Sequence, residues 1–309
     1  MLPRIADSLS FLYLDKVRIV QDDTGVCAQI QTDENRTDTV YIPTAALTCL
    51  LLGPGVSITT RALSTLARHG TSVVCTGAGG VRTYAGILPD SLTTHWLEQQ
   101  VTAWSDPHQR LATATRMYEM RFGDDTVPDG TTLAQLRGME GQRMKALYKL
   151  LAQQHGIGRF RRNYHPDQWH QQDPVNLALS AANTCLYGII HAALLALGCS
   201  PALGFVHTGK QHAFVYDIAD LYKAETTLPV AFSLHQSTNP EKEARRKFRE
   251  ELRLIRLLPR VIRDIQSLLT PGAVTDDDRP ERHDVQLVHL WDPKAGVLPA
   301  GVNYAPDGG

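Results

Sequence analysis

The rhythm of hydrophobic and polar positions changes once along this chain. Up to residue 88, apolar residues come in short runs rich in β-branched and aromatic side chains. Phe11 to Val20, Val26 to Gln31 and Thr39 to Ile42 read as strands, with Asp22-Asp23-Thr24-Gly25 as a turn between the first two. Ala46 to Leu52, Val56 to Ile58, Ser72 to Cys75 and Val81 to Ala85 form a second group. Thr60 to Arg68 has helical spacing, with Thr59 or Thr60 as its cap and His69-Gly70 as its stop. Short strands with turn signals and one helix predict a small β-sandwich.

From Pro89-Asp90-Ser91 onward the spacing turns helical. Helices are predicted over Thr93 to Trp104, Pro107 to Phe122, Thr132 to His155, Pro174 to Leu197, Asp217 to Ala224 and Pro240 to Leu269. Pro107 suits a first turn, and Gly156 and Gly198 are stops. Pro174 to Leu197 is strongly apolar and belongs at the centre of its domain. The expectation is an α+β chain: a small N-terminal β-sandwich domain over 1–88, a larger all-α domain over 89–270, and a tail over 271–309. The tail is rich in Pro, Gly and Asp and reads as partly disordered. Within it Val285 to Trp291 is a strand-like island, either a strand of the body or a segment that docks on a partner.

Charge and cysteines narrow the function. The formal net charge is −1, so any affinity for nucleic acid comes from local basic patches rather than global steering. The five cysteines, Cys27, Cys49, Cys75, Cys185 and Cys199, are scattered and have no metal-ligand spacing. They read as buried reduced thiols of a cytoplasmic protein. No secretion signal and no membrane span are expected; the nearest apolar run, Leu186 to Leu197, is short and broken by Gly188 and His191. Thr76-Gly-Ala-Gly-Gly80 looks like a phosphate loop, but its glycine spacing and the strand after it are those of a tight turn.

The chemistry concentrates elsewhere. Asp217 and Asp220 are three apart, and His207 lies just upstream. With Glu140 they offer one nitrogen and several oxygen donors, a set suited to Mg²⁺ or Mn²⁺ rather than structural zinc. Each has a plainer reading: a core histidine, Asp217 as the cap of a helix starting there, Asp220 in an ion pair with Lys223 or Arg137. Asp220, set among Ile218, Ala219 and Leu221, needs a partner under any reading. Gly138 and Gly141 flank Glu140 inside a helix, where each costs about 1 kcal/mol against alanine. Either they let another helix pack closely, or they leave room for a ligand. Arg137 is placed to meet a phosphate or to pair with Glu140.

Basic tracts surround this set. Gly158 to His165 interleaves arginines, Arg161 and Arg162 among them, with Phe160 and Tyr164; Trp169 and His170 follow. Glu241 to Arg263, which includes Arg245 and Arg249, carries nine Lys or Arg against four Glu, either a solvated face or a phosphate track. Arg61, Arg68 and Arg82 would extend such a track. No nucleophile motif is present, which favours metal-activated chemistry.

Four motifs carry a resemblance: Arg137-Gly-Met-Glu140-Gly141, Ala181 to Gly188, Gly204-Phe-Val-His207-Thr-Gly-Lys210, and Phe214-Val-Tyr-Asp217-Ile-Ala-Asp220. In this order they resemble the spacer-acquisition integrase of CRISPR systems, type I-E. The resemblance runs from about Phe11 to the end of the last helix. It implies a β-sandwich that dimerises, a helical catalytic domain, and insertion of short DNA into a CRISPR array by attack of a 3′-hydroxyl on the repeat phosphodiester. It implies Mg²⁺ or Mn²⁺ held by Glu140, His207 and Asp220, with Asp217 an acidic neighbour, Tyr187 an active-site tyrosine and Lys210 a lysine in the turn. It also implies two homodimers bridged by a small ferredoxin-like partner into a heterohexamer. Two other functions compete: a metal-dependent endonuclease on branched or single-stranded DNA, and a non-catalytic DNA scaffold whose acidic residues are structural.

Overall fold

The computed structural model describes residues 11–33, 36–47, 49–78, 83–89, 94–123, 127–128, 130–162, 173–255, 257–271, 289–292 and 296–299. The chain divides into two compact units, Met1–Gly272 and Ala273–Gly309.

The first unit opens with strands. Phe11 to Val20, expected as one strand, is two: β1 (Phe11–Leu14) and β2 (Arg18–Gln21). Between them Lys16 adopts φ 53°, and its N–H donates to the Pro54 carbonyl. That turn sends the chain from one sheet into another. Sheet 1 orders β1, β5 (Cys49–Leu52), β7 (Ser72–Thr76) and β8 (Thr83–Ile87), the first three parallel and β8 antiparallel. Sheet 2 orders β4 (Arg36–Tyr41), β3 (Val26–Asp33), β2 and β6 (Ser57–Ile58). Helix α1 (Thr60–Arg68) starts where Thr59 accepts from the Ala62 N–H.

Sheet 1 is covered on both faces, and its alternation shows how. Leu50, Leu52 and Val73 join a core with Ile19 and Val26 of sheet 2 and Ala62 and Leu66 of α1. Their neighbours Cys49, Leu51 and Val74 point the other way, onto Ala192 and Ala196. All four residues of β5 are therefore buried, as in a strand with no solvent face.

The helices are α2 (His95–Ser105), α3 (Pro107–Phe122), α4 (Leu133–Gln154), α5 (Pro174–Leu197), α6 (Ala213–Asp220), α7 (Thr227–Phe232), α8 (Pro240–Ile255) and α9 (Leu257–Leu269). The fold is thus α+β, strands first and helices after. Helix α5 is the hub. Asp173 caps it through the Asn176 N–H, and Gly198 ends it at φ 78°. Leu179, Leu186, Ile190 and Leu194 are buried along it, each worth about 1.5–3 kcal/mol. The cap adds about 1 kcal/mol, so packing rather than capping holds α5 in place. By length and mean hydropathy α5 would cross a membrane, but 72% of its most apolar stretch is buried inside the protein, as in a core helix.

Three helical expectations change. Helix α6 begins at Ala213, not Asp217, so Asp217 lies in its second turn and caps nothing. Helix α7 is not among the predicted elements. The long helix expected over Pro240 to Leu269 is two, and Pro259 sits in the first turn of the second, where proline is tolerated.

In the second unit, β9 (His289–Asp292) pairs antiparallel with β10 (Gly296–Pro299), Leu290 opposite Leu298. The island predicted at Val285 to Trp291 is described only from His289, and β10 falls in a stretch expected to be irregular. The Thr76 to Gly80 loop beyond residue 78, the basic tract beyond Arg162 and most of the tail lie outside the described residues.

Candidate active site

The segment between α5 and α6 is pinned from α2 and α3. Gln100 bonds Ser200 at both its amide ends: Nε2 donates to the Ser200 carbonyl at 2.9 Å, and Oε1 accepts from the Ser200 N–H at 2.7 Å. Trp104 Nε1 and Arg110 Nη2 both donate to the Gly204 carbonyl, at 3.0 and 3.1 Å. Gly204 has no room for a side chain: a Cβ there would lie 2.5 Å from the His207 carbonyl oxygen.

Asp217 shapes the backbone at 205–207. Its carboxylate is fully buried and accepts from three successive backbone N–H groups, Phe205 at 2.6 Å, Val206 at 3.0 Å and His207 at 2.9 Å. Its Oδ1 also lies 2.6 Å from Nδ1 of His207. A carboxylate in that position accepts a hydrogen bond from Nδ1–H, which leaves Nε2 as the ring's unprotonated nitrogen. Asp217 therefore serves both the loop and the orientation of His207.

Asp220 ends α6 between two cations. Its Oδ2 is 3.2 Å from Nη2 of Arg121, and its Oδ1 accepts from Lys223 Nζ at 2.6 Å. Burial pushes the Asp220 carboxyl up, but Lys223 and Arg121 outweigh it and hold it below the ordinary carboxylate range. Burial likewise pulls Lys223 down, and Asp220 with Tyr187 more than reverses it. Arg121, on α3, is 3% exposed, and its guanidinium lies 4.9 Å from the Tyr118 ring centre.

Glu140 projects from α4 into the same field. Burial raises its carboxyl; Arg121 and Arg143 pull the other way, and Asp220 adds to the rise. Its Oε2 is buried and, among the described residues, accepts no hydrogen bond; Arg143 Nη1 stands 3.7 Å away. A buried carboxylate oxygen without a donor is a costly arrangement, and a hard cation is the ligand whose chemistry fits it. Among the described residues, no three His, Cys, Asp or Glu side chains stand close enough together to hold a metal ion as they are, so Glu140, His207 and Asp220 would have to draw together around one. Arg137 pairs with neither Glu140 nor Asp220; it donates to the Val206 carbonyl at 3.4 Å. A Cβ at Gly138 or Gly141 would meet nothing within 4 Å, so these glycines do not serve close helix packing.

Tyr187 and Lys210 take different positions. The Tyr187 ring lies edge-on to Tyr216 at 5.1 Å, and Tyr216 lies 5.8 Å from His207, while Lys223 covers Tyr187 at 4.9 Å. Lys210 is exposed on the turn after Gly209. Two of the thiols, Cys49 and Cys199, are no competing nucleophiles, because burial pushes them up to about 12.

Known proteins resemble this chain in sequence and fold. Residues 120–257 match the family described as CRISPR associated protein Cas1. A CRISPR-associated endonuclease Cas1 of Clostridium sp. (strain SY8519) is 39% identical over 308 residues, 98% of each chain. The chain belongs to the Cas1 family. The CRISPR-associated endonuclease Cas1 2 of Thermus thermophilus is also 39% identical, over 99% of this chain and 93% of its own. The crystal structure of a TtCas1–DNA complex superposes with TM-score 0.76 at 40% identity, over 87% of this chain and all of that one. The protein is thus a CRISPR-associated enzyme of the nuclease and integrase kind. The Cas1 match spans Arg121, Glu140, Tyr187, His207, Lys210, Asp217, Asp220 and Lys223.

The arginines expected to hold DNA divide. Arg61 and Arg68 lie on α1, whose core is on the face of sheet 1 opposite α5. Arg161 is exposed. Arg162 is spent on the fold: Nη1 donates to Asn176 Oδ1 at 2.7 Å and Nη2 to Ser180 Oγ at 3.1 Å, holding the start of α5. Arg245 lies 3.5 Å from Glu241 on its own helix. Arg82 and the Arg249 side chain lie outside the described residues. Sequence reasoning missed Arg121 in this Cas1 site. Its signal was position: Ala114, Met117, Tyr118 and Phe122 mark the buried face of α3, and Arg121 falls on that face. A buried guanidinium calls for a carboxylate partner.

Proposed function

We propose that the chain joins the 3′ end of a short DNA to a phosphodiester of a CRISPR array, in a reaction that needs Mg²⁺ or Mn²⁺. Glu140, His207 and Asp220 would hold the cation. The observation that carries this reading is the unbonded, buried Oε2 of Glu140 in the field of Asp220, which is itself in the field of His207, a histidine whose Nδ1 is already committed. Bound there, a divalent cation supplies Lewis acidity to a hydroxyl nucleophile and charge to the transition state. Asp217 keeps Nε2 of His207 outward, Arg121 and Lys223 keep Asp220 ionised, and exposed Lys210 is placed to meet a phosphate. DNA as substrate is supported by the DNA complex of the related TtCas1. In the same reading two homodimers, formed through the β-sandwich, are bridged by a small ferredoxin-like protein.

Hydrolysis of branched or single-stranded DNA is the second reading, favoured by the word endonuclease in the relatives' names. Product analysis separates the two. Protein, bridging partner, Mn²⁺ and a CRISPR-array plasmid should yield joined strands from a protospacer duplex. Cleaved ends without joined product would leave only the hydrolytic reading.

Two variants probe how DNA is held. Arg161→Ala should weaken DNA binding and lower the salt slope by about one unit, the loss of roughly one phosphate contact. An unchanged slope in a binding titration at several salt concentrations removes Arg161 from the DNA path. Gly141→Ala should stabilise the isolated protein by up to about 1 kcal/mol, because the helix gains and nothing clashes. If the open surface beside Glu140 receives DNA, the same variant should lose strand joining while its Tm rises. Full joining by Gly141→Ala would show that DNA does not use this space.

A further inference from the structure

Two cations share Asp220, and they are not equivalent. Arg121 is 3% exposed and fixed at several points: Asp220 Oδ2 at 3.2 Å, the Asp217 carbonyl at 3.5 Å, and the Tyr118 ring beneath its guanidinium. It ties α3 to both acidic residues of α6. Its Nε is buried without an acceptor, so the group is held by its surroundings at the expense of one hydrogen bond. Lys223 is 23% exposed and reaches Asp220 Oδ1 at 2.6 Å on a flexible stem, its Nζ also lying 4.9 Å from the Tyr187 ring centre.

The charges limit what else can enter. Glu140, Asp217 and Asp220 bring three negative charges; Arg121, Lys223 and Arg143, the last 3.7 Å from Glu140, already bring three positive ones. A doubly charged ion added to that set meets repulsion unless one cation withdraws. Arg121 is 3% exposed against 23% for Lys223, so Lys223 is the cation with solvent to withdraw into.

Resting on the metal reading above, we propose that Arg121 is the permanent positioning partner of Asp220 and that Lys223 is a place-holder. Lys223 occupies an oxygen that a divalent cation would take, and would release it to the ion while keeping its contact with the Tyr187 ring. The two residues then have opposite effects on metal affinity, although both pair with the same carboxylate. A purely structural role for both predicts effects in the same direction.

The test is Mn²⁺ binding to the full chain with branched DNA present, by calorimetry, for wild type, Lys223→Met, Arg121→Met and Arg121→Lys. Removing the competing charge should tighten Mn²⁺ about fivefold in Lys223→Met, and loss of the fixed partner should weaken it about tenfold in Arg121→Met. Arg121→Lys, which keeps charge without the planar fork, should fall between Arg121→Met and wild type. The rise in Tm on adding Mn²⁺ should be larger in Lys223→Met than in wild type. If Arg121→Met does not fold, as judged by circular dichroism, Lys223→Met and Arg121→Lys carry the test. Weaker or unchanged Mn²⁺ binding in Lys223→Met overturns the place-holder while leaving the metal reading intact. No Mn²⁺ binding by wild type overturns the metal reading and this inference with it.

Discussion

Replacing Asp217 by alanine is expected to lower folding stability by about 3–5 kcal/mol, the range for breaking up a buried charged cluster. The reason lies in what the carboxylate holds: three backbone N–H groups and one imidazole, all accepted by a group with no solvent exposure. Alanine strands those donors, and each unsatisfied buried donor costs about 1–3 kcal/mol. Part is recovered if the loop relaxes toward water. Asp217→Asn keeps the shape and one acceptor oxygen, so it should lose less. Denaturant unfolding followed by circular dichroism measures this. An Asp217→Ala variant within about 1 kcal/mol of wild type would show that the loop at 205–207 is held by other contacts.

Replacing His207 by alanine is expected to reduce strand joining by about a thousandfold or more, the scale of losing a ligand or charge-stabilising group at a reacting phosphate. DNA affinity should stay within about twofold, because phosphate contacts spread over many basic residues dominate it. His207 is partly exposed and its removal leaves Asp217 bonded to the three backbone donors, so the fold should persist. Glu140→Gln should behave alike, since the amide keeps the volume and removes the charge. Parallel joining and binding assays on the same preparations decide it. Near-normal joining by either variant would return the acidic set to a structural role and leave a DNA-binding scaffold as the reading.

Much of the fold is legible in the sequence, and the failures have physical causes. Helices α4 and α5 are placed closely because their ends carry side-chain signals: Thr132 and Gln135 form a reciprocal capping box, Asp173 caps α5, and Gly198 takes the left-handed conformation. Helix α6 is misplaced because its true start at His212 has no capping side chain, while an aspartate further on looks like a cap. That error hides what Asp217 does, since four contacts made across a loop leave no periodic trace. The break between β1 and β2 occurs at Lys16, a residue type that rarely marks a positive φ. The two readings of Gly138 and Gly141 need the positions of neighbours, and the open space around both decides against close packing. Arg162 looks like a DNA contact because composition does not reveal that Asn176 and Ser180 lie within its reach.

In the proposed site, Glu140, Asp220 and Nε2 of His207 would hold one divalent cation. Pulsed electron paramagnetic resonance of Mn²⁺ bound to the protein–DNA complex tests it directly. The spectrum should show the nitrogen modulation of one imidazole in wild type and none in His207→Ala. Mn²⁺ bound without nitrogen modulation, or the same modulation in both proteins, would rule out His207 as a ligand of the cation.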